Sequence, residues 1–265
     1  MRVLCIGDVV GGVGRRALAA TLPDLRKEHA LDMVVVNSEN AAGGIGLTPA
    51  TAKDLFDAGA DVLTGGNHLW KYKELIPYLD KEPRLIRPLN YPEPCPGRGY
   101  TLVELASGHR VGVINLQGQA FMEPVGCPFR AGEAAAQELA KETNLILVDM
   151  HAEATSEKRA MGWYLDGRVS ALFGTHTHVP TADEEVLTDG TGYITDLGMT
   201  GPYRSVIGTK TGPVLKRFLT MRNTNWTTAK EDVRVCGALF DIDDETGKCT
   251  AVKRVRVDVP LRSPD

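Results

Sequence analysis

Short apolar runs alternate with helix-like segments along most of this chain, and this alternation restricts the fold more than any other feature. The runs have the length of buried strands and lie at residues 3–6, 33–36, 62–64, 145–148 and 169–173. Between the second and third runs, Thr48 is predicted to cap a helix that has Pro49 at its first position and ends at Gly59. The pattern predicts a layered α/β fold, with a mixed central sheet or two packed sheets and helices outside.

The remaining segments extend this pattern. Further helices are predicted over residues 15–29, with Pro23 as a break or kink, and over 70–79, 132–142 and 213–219. Hairpins are predicted from 100–105 with 110–116 and from 234–242 with 250–259. The charged run 157–159 is interpreted as a solvated face, and Cys5 as a core residue. Because no repeat or linker interrupts the chain, a single domain over residues 1–265 is expected.

Composition restricts the classes of partner and the cellular compartment. A formal charge of −4 without a basic stripe argues against an extended nucleic-acid surface and leaves room for a local phosphate pocket. The five cysteines are scattered and form no CxxC pair, which predicts neither a disulfide framework nor a thiolate zinc site. No run reaches the roughly eighteen apolar residues of a membrane span. We therefore expect a cytoplasmic protein with a small-molecule partner, for which self-association as a homo-oligomer stays open.

Residues of types that commonly bind metals follow five of the predicted strands. They are Asp8, Glu39, Asn40, Asn67, His68, His151, His176 and His178. Because the carboxyl ends of strands in α/β sheets meet along one edge, these side chains are expected to lie together. His176 and His178, placed at i and i+2 of a strand end, are expected to leave it on the same side.

The chemistry of these side chains predicts a two-metal centre. Oxygen and imidazole ligands without thiolate suit Mn, Fe, Zn or Co, and the many oxygens favour Fe or Mn. Seven candidate ligands are too many for one catalytic ion and about right for two divalent or trivalent ions that share a carboxylate. The candidates are Asp8, Glu39, Asn40, Asn67, His151, His176 and His178. His68, which adjoins Asn67 and is not needed as a ligand, is the predicted proton donor.

Four longer motifs carry a resemblance to a known family. They are NSENAAGG at 37–44, GGNH at 65–68, GWYLDGRVSALFGTHTHVPTAD at 162–183 and ITDLGMTGP at 194–202. With Asp8 and His151, they make the chain similar to the calcineurin-like metallophosphoesterase superfamily and, within it, to the YmdB-like bacterial phosphodiesterases. The resemblance covers nearly the whole chain. It implies an α/β/β/α sandwich with a metal site at the carboxyl ends of strands, and hydrolysis of small phosphodiesters such as 2′,3′-cyclic nucleotides by a metal-bridging hydroxide.

The resemblance also implies a role for each candidate residue. Asp8, Glu39, Asn40 and His178 would surround one metal, and Glu39, Asn67, His151 and His176 the other, with Glu39 as the bridge and His68 as the acid. Two positions depart from the wider superfamily, whose first motif is Asp-x-His and whose bridging ligand is Asp. Val10 stands at the place of that histidine, and Glu39 replaces that aspartate. Both differences fit the YmdB-like branch.

Two alternative functions come from other classes of protein. A dinucleotide-dependent oxidoreductase would use the glycines after the first strand, Gly7, Gly11, Gly12 and Gly14, with Glu39 on the ribose. Their spacing is not GxGxxG, and Asp8 would stand in the path of the pyrophosphate. The other alternative is a non-catalytic metal-binding or RNA-binding regulator. The lack of a basic stripe with interleaved aromatics argues against a large RNA footprint and leaves the metal-binding regulator open.

Overall fold

The structure, a computed structural model, describes residues 1–260. In chain order the strands are β1 (Arg2–Ile6), β2 (Asp8–Val9), β3 (Met33–Asn37), β4 (Val62–Thr64), β5 (Tyr100–Glu104), β6 (Arg110–Gln117), β7 (Ile146–His151), β8 (Ala171–Thr175), β9 (Glu185–Val186), β10 (Gly192–Ile194), β11 (Met199–Pro202), β12 (Val233–Ile242) and β13 (Cys249–Val259). The helices are α1 (Gly11–His29), α2 (Pro49–Asp57), α3 (Ile76–Leu79), α4 (Pro128–Leu139), α5 (Thr155–Tyr164) and α6 (Thr211–Thr220).

The strands form two sheets. The first has seven strands in the order β2-β11-β12-β1-β3-β4, with β13 paired to β12, and the second has six in the order β5-β6-β7-β8-β10-β9. Neighbours β1, β3 and β4 run parallel, and so do β6, β7, β8 and β10. Strand β12 runs antiparallel to its neighbours β1, β11 and β13 in the first sheet. In the second sheet the outer pairs, β5 with β6 and β9 with β10, are antiparallel, and the two predicted hairpins are β5–β6 and β12–β13. Both sheets are therefore mixed, and each directs the carboxyl ends of its parallel strands to one edge.

Alternating side chains of the central strands bury both faces of each sheet. In β1, Leu4 and Ile6 pack with α1 and α2, whereas Val3 and Cys5 pack against the second sheet. The outer face of the second sheet packs under α4 and α5 through residues such as Leu139. The order of layers is helix, sheet, sheet, helix. This confirms the predicted α/β/β/α sandwich with its mixed sheet and places Cys5 in the core, as expected.

The effect of proline differs from the prediction in two helices. Helix α1 continues through Pro23, whose missing N–H leaves only the carbonyl of the exposed residue Ala19 without a partner, so that water can replace the lost bond. The predicted helix 70–79 is wrong. It consists of two 3₁₀ turns, Leu69–Lys71 and Lys73–Leu75, followed by α3, because Pro77 cannot donate within a helix and instead lies in the first turn of α3.

Lys158 contradicts the prediction of a solvated face at 157–159. Its side chain is fully buried on α5, where Nζ donates to the Thr175 carbonyl and to Asp196 Oδ2, both at 2.7 Å. A buried cation is tolerated only when it is paired and hydrogen-bonded, and Asp196 supplies that pairing from a distant loop. Among residues 1–260, no helix combines the length and the apolar character required to cross a membrane.

Candidate metal centre

The eight predicted site residues lie at one edge of the sandwich, where strand ends from both sheets meet. Asp8 begins β2, Glu39 and Asn40 follow β3, and Asn67 and His68 follow β4 in the first sheet. His151 ends β7, and His176 and His178 follow β8 in the second sheet. The convergence comes from the packing of two sheets, since neither sheet alone carries the whole set.

The first cluster is formed by Glu39, His151, His176 and Asn67. One possible ligand atom from each of Glu39, His151 and His176 lies within 4.8 Å of the other two. Nε2 of His151 is 3.2 Å from Glu39 Oε2 and 3.1 Å from His176 Nδ1. Asn67 adds its Oδ1 at 3.1 Å from the same His151 nitrogen. Carboxylate, imidazole and amide groups thus face a common point, a donor set that suits a transition-metal ion.

The second cluster is formed by Asp8, Asn40 and His178 beside the same glutamate. Nε2 of His178 is 3.7 Å from Asp8 Oδ1 and 3.2 Å from Asn40 Nδ2. Asn40 Nδ2 donates to Glu39 Oε1 at 2.9 Å, so one oxygen of Glu39 faces each cluster. The amide of Asn40 turns its nitrogen to these neighbours, and service as a ligand requires a half-turn that brings its oxygen there.

Each of the three histidines has one ring nitrogen occupied by a contact that points away from the centre. The outward contacts are His151 Nδ1 to Thr175 Oγ1 at 2.9 Å, His176 Nε2 to Glu153 Oε2 at 3.1 Å, and His178 Nδ1 to the Ile207 carbonyl at 2.8 Å. In metal sites such contacts fix the tautomer and leave the other nitrogen free to bind the ion. The remaining three nitrogens all face inward here.

Thr175 and Asp149 support His151 from beneath the centre, a role that the sequence did not reveal. Thr175 Oγ1 donates to Asp149 Oδ1 at 2.7 Å and is therefore the acceptor for the Nδ1–H of His151. Asp149 also accepts from Asn37 Nδ2 at 3.0 Å. Burial raises the pKa of Asp149 to about 6. Asp149 follows an apolar run just as the candidate ligands do, and only its depth in the sheet separates it from them.

The extended strand geometry predicted for the segment His176-Thr177-His178 is wrong. Strand β8 ends at Thr175, and His176 and His178 adopt φ values of 96° and 65° instead of an extended conformation. Such left-handed backbone is rare for residues other than glycine and persists only where its surroundings enforce it. Thr177 between them donates through Oγ1 to Asp196 Oδ2 at 2.7 Å, so the buried pair of Lys158 and Asp196 anchors the turn.

Burial and close contacts alter the pKa values of the charged groups. Burial alone would raise the pKa of Glu39, but His151 and His68 lower it well below its usual range. Conversely, burial would lower the pKa of His151, and the attraction of Glu39 outweighs this and raises it to about 9. Burial and the neighbouring His151 lower the pKa of His176 to about 3. His176 is thus a neutral imidazole with an available lone pair, the form that binds metals.

Two features indicate that the residues fit a bound cation. Asp8 Oδ1 is buried and has no hydrogen-bond partner among the described residues, a costly arrangement unless a cation faces it. Burial accordingly raises the pKa of Asp8. Gly66 is the second feature, since a methyl group there would lie 2.1 Å from Glu39 Oε2 and 2.3 Å from His151 Nε2. The backbone of the GGNH motif therefore approaches Glu39 and His151 too closely for any side chain at this position.

We expect Gly66→Ala to weaken metal binding by about 10-fold or more, because the methyl group must displace Glu39 or His151. Metal content of the purified variant, measured by plasma mass spectrometry, tests this. Gly212→Ala is the matched control, since a methyl group at Gly212 meets no atom within 4 Å. Equal metal content in the two variants would contradict the close approach of the Gly66 backbone.

His68 lies at the solvent side of the centre, with 36% of its side chain exposed. Its Nδ1 is 3.2 Å from both Glu39 Oε1 and Asn40 Oδ1, and its backbone N–H donates to Glu39 Oε2 at 3.2 Å. Nε2 makes no hydrogen bond within residues 1–260 and is therefore the ring nitrogen available to a substrate. An imidazole held at one nitrogen and open at the other has the geometry that a general acid needs.

The glycines of the dinucleotide hypothesis have structural roles. The N–H of Gly11 donates to the Asn40 carbonyl at 2.9 Å, so the start of α1 is bonded to the loop that carries the site. At Gly14 a methyl group would lie 2.3 Å from the Thr200 carbonyl oxygen, so this glycine permits close packing of α1 on β11. These contacts explain the glycine-rich turn without a bound pyrophosphate.

Comparison with known proteins finds relatives along almost the whole chain. The chain is 46% identical over 257 residues to a 2′,3′-cyclic-nucleotide 2′-phosphodiesterase of Bacillus subtilis, covering 97% of both chains. It superposes with a TM-score of 0.92 on a hypothetical protein of Thermus thermophilus that is 42% identical, covering 98% of this chain and 100% of that one. A novel phosphatase of Mycoplasma pneumoniae gives a TM-score of 0.91 at 32% identity, covering 98% and 95%.

The family model described as YmdB-like protein matches residues 4–255. This match spans both sheets and every residue of the candidate centre. It confirms the resemblance drawn from the four motifs at 37–44, 65–68, 162–183 and 194–202. The chain belongs to the YmdB-like protein family.

Proposed function

We propose that this protein is a metal-dependent phosphodiesterase that hydrolyses 2′,3′-cyclic nucleotides. The observation that carries the proposal is the arrangement of His151, His176 and His178, each with one nitrogen bonded outward and the other turned to a centre around Glu39. The B. subtilis relative, which aligns over almost the full length, bears the name of this activity.

The residues present fit two ions that share Glu39. Asp8, Asn40 and His178 would complete one set of ligands with Glu39, and Asn67, His151 and His176 the other. Fe or Mn is favoured because more than half of these donors are oxygens. When bound, such a pair of ions lowers the pKa of water and neutralises charge that develops on the phosphoryl oxygens. The polypeptide orients the three histidines of this set through Thr175, Glu153 and the Ile207 carbonyl.

His68 is proposed to protonate the leaving oxygen. Glu39 and Asn40 hold its Nδ1 side, which directs Nε2 outward to the cavity where a substrate enters. A ribose alkoxide is a poor leaving group, so proton transfer from His68 Nε2 to the leaving oxygen accelerates the departure of the ribose.

The cavity that opens on the centre suits a small substrate. It has a volume of about 560 Å³, and Glu39, His68, His176 and His178 form its inner end. Of the residues that the structure describes, no Lys or Arg lines it. A substrate with a single phosphodiester charge matches these walls better than a long polyanion, whose further phosphates would find no cation.

Metal removal tests the proposal. The purified protein, treated with a chelator and dialysed, is expected to lose hydrolysis of 2′,3′-cyclic AMP and to regain it with Mn²⁺ or with Fe²⁺ under anaerobic conditions. The reaction is followed by chromatographic separation of the nucleotide products, and the restored protein should hold about two ions per chain. Hydrolysis that is unchanged by the chelator, or absent from the fully metallated protein, would refute the proposed function.

A further inference from the structure

The outer wall of the cavity is apolar and exposed, in contrast to its polar inner end. The wall is formed by Ile45, Val179, Ile207, Phe218 and Trp226. Phe218 is 73% exposed and Trp226 62% exposed, although both are large apolar side chains. A contiguous apolar patch beside convergent polar groups is typical of a ligand-binding surface.

The segment that carries Trp226 is bonded to the loop of the metal centre. Trp226 Nε1 donates to Thr224 Oγ1 at 3.1 Å, which satisfies the indole N–H and leaves the ring face free. Two residues later, Thr228 Oγ1 donates to the Gly43 carbonyl at 2.9 Å, and Gly43 lies on the loop that supplies Glu39 and Asn40. The segment of Trp226 is therefore bonded to the loop of the centre, which suits a substrate whose two ends bind at different places.

The charge and size of the cavity restrict what covers this wall. Within residues 1–260 its charged or titratable lining consists of Glu39, Glu153, His68, His176 and His178, so a second anionic group would meet carboxylates rather than cations. A volume of about 560 Å³ holds a mononucleotide and is too small for the acyl chains of a phospholipid. A flat, neutral and aromatic group fits best.

We propose that Phe218 and Trp226 form a nucleobase subsite, on which the base of a cyclic nucleotide stacks while its phosphodiester lies at the metal centre. This inference rests on the proposed function for the identity of the phosphodiester. Stacking on an aromatic face tolerates every base, because each base has a π-face. The enzyme should therefore accept purine and pyrimidine 2′,3′-cyclic nucleotides with similar efficiency.

A comparison of two substrates tests the subsite. One is 2′,3′-cyclic AMP, and the other is methyl riboside 2′,3′-cyclic phosphate, which has the same phosphodiester and no base. Trp226→Ala and Phe218→Ala are expected to lower kcat/KM for the nucleotide by about 5- to 100-fold and to leave the base-free substrate within about twofold of wild type. Trp226→Phe should restore most of the loss. Leu219→Ala is the matched control for Phe218→Ala, since Leu219 is 82% exposed on α6 beside Phe218 and does not line the cavity.

Calorimetric titration of the metallated protein with 3′-AMP and with inorganic phosphate separates the two proposals. Trp226→Ala should weaken 3′-AMP binding by a similar factor and leave phosphate binding unchanged. If wild type hydrolyses neither diester, and Trp226→Ala still binds 3′-AMP more weakly than wild type while phosphate binding is unchanged, the proposed function fails and the subsite stands. Equal affinity of wild type and Trp226→Ala for 3′-AMP, or equal kinetic losses on both substrates, would overturn the subsite.

Discussion

Glu39→Ala is expected to lose metal from both clusters and to reduce kcat by about 10³-fold or more, because the two oxygens of Glu39 face different sets of candidate ligands. Its Oε2 lies 3.2 Å from His151, and its Oε1 accepts from Asn40 at 2.9 Å. Metal ions contribute several kcal/mol of transition-state stabilisation, and each 1.36 kcal/mol corresponds to a tenfold change in rate. Plasma mass spectrometry and steady-state kinetics on the same preparation measure the two effects.

Glu153→Gln is the matched control for Glu39→Ala. Glu153 is half exposed and contacts the outward nitrogen of His176 at 3.1 Å, so it orients one ligand without bridging the clusters. Its replacement is expected to weaken metal affinity by about 10- to 100-fold and to leave activity recoverable at high metal concentration. A fully metallated and active Glu39→Ala protein would refute the shared carboxylate.

His68→Ala is expected to lower kcat for 2′,3′-cyclic AMP by about 10²- to 10⁴-fold while metal content stays close to wild type. The reason is that the alkoxide would depart without a proton from Nε2, whereas the ligands of both clusters remain. A phosphodiester with a nitrophenolate leaving group should suffer a much smaller loss, since that group departs without protonation. Rates on the two substrates and metal analysis of the variant provide the measurement.

A second variant at the same position distinguishes acid catalysis from support of Glu39. His68 Nδ1 contacts Glu39 Oε1 at 3.2 Å, so the alanine variant also removes a neighbour of the bridge. His68→Gln retains a donor toward that carboxylate and no acid, and it should keep its metal and remain slow. Loss of metal in both variants, or an equal loss of rate on the substrates with the two leaving groups, would refute the assignment of His68 as the proton donor.

Much of the fold follows from local signals. The helix α2 begins and ends as its sequence predicts, because the Thr48 cap, the proline at the first position and Gly59 act within one turn of the chain. The strands of two to four residues, such as β2 and β11, carry too few side chains to show a periodicity. The apolar pattern of residues 70–79 favoured one continuous helix. Pro77 prevents it, because the loss of a helical N–H costs more than the amphipathic spacing gains, and Pro77 lies instead in the first turn of α3.

The candidate ligands were recognisable for a different reason. Asp8, Glu39 and the histidines follow apolar runs, where a core residue would have been cheaper to bury, and their types match one kind of chemistry. The supporting residues could not be recognised in this way. Asp149 also follows an apolar run but lies inside β7, Thr175 ends β8 like an ordinary core residue, and Lys158 belongs to a charged run that is typical of surfaces.

The sequence by itself determined the fold class, the family and the identity of the residues at the strand ends, because propensity, capping and ligand chemistry belong to individual residues and their near neighbours. Only the tertiary structure decided that Asp196 neutralises Lys158, that Gly66 has no space for a methyl group, and that Phe218 and Trp226 lie beside the candidate metal centre. These contacts join segments far apart in the chain. Their energies depend on distance, burial and orientation, and those quantities exist only once the two sheets have packed.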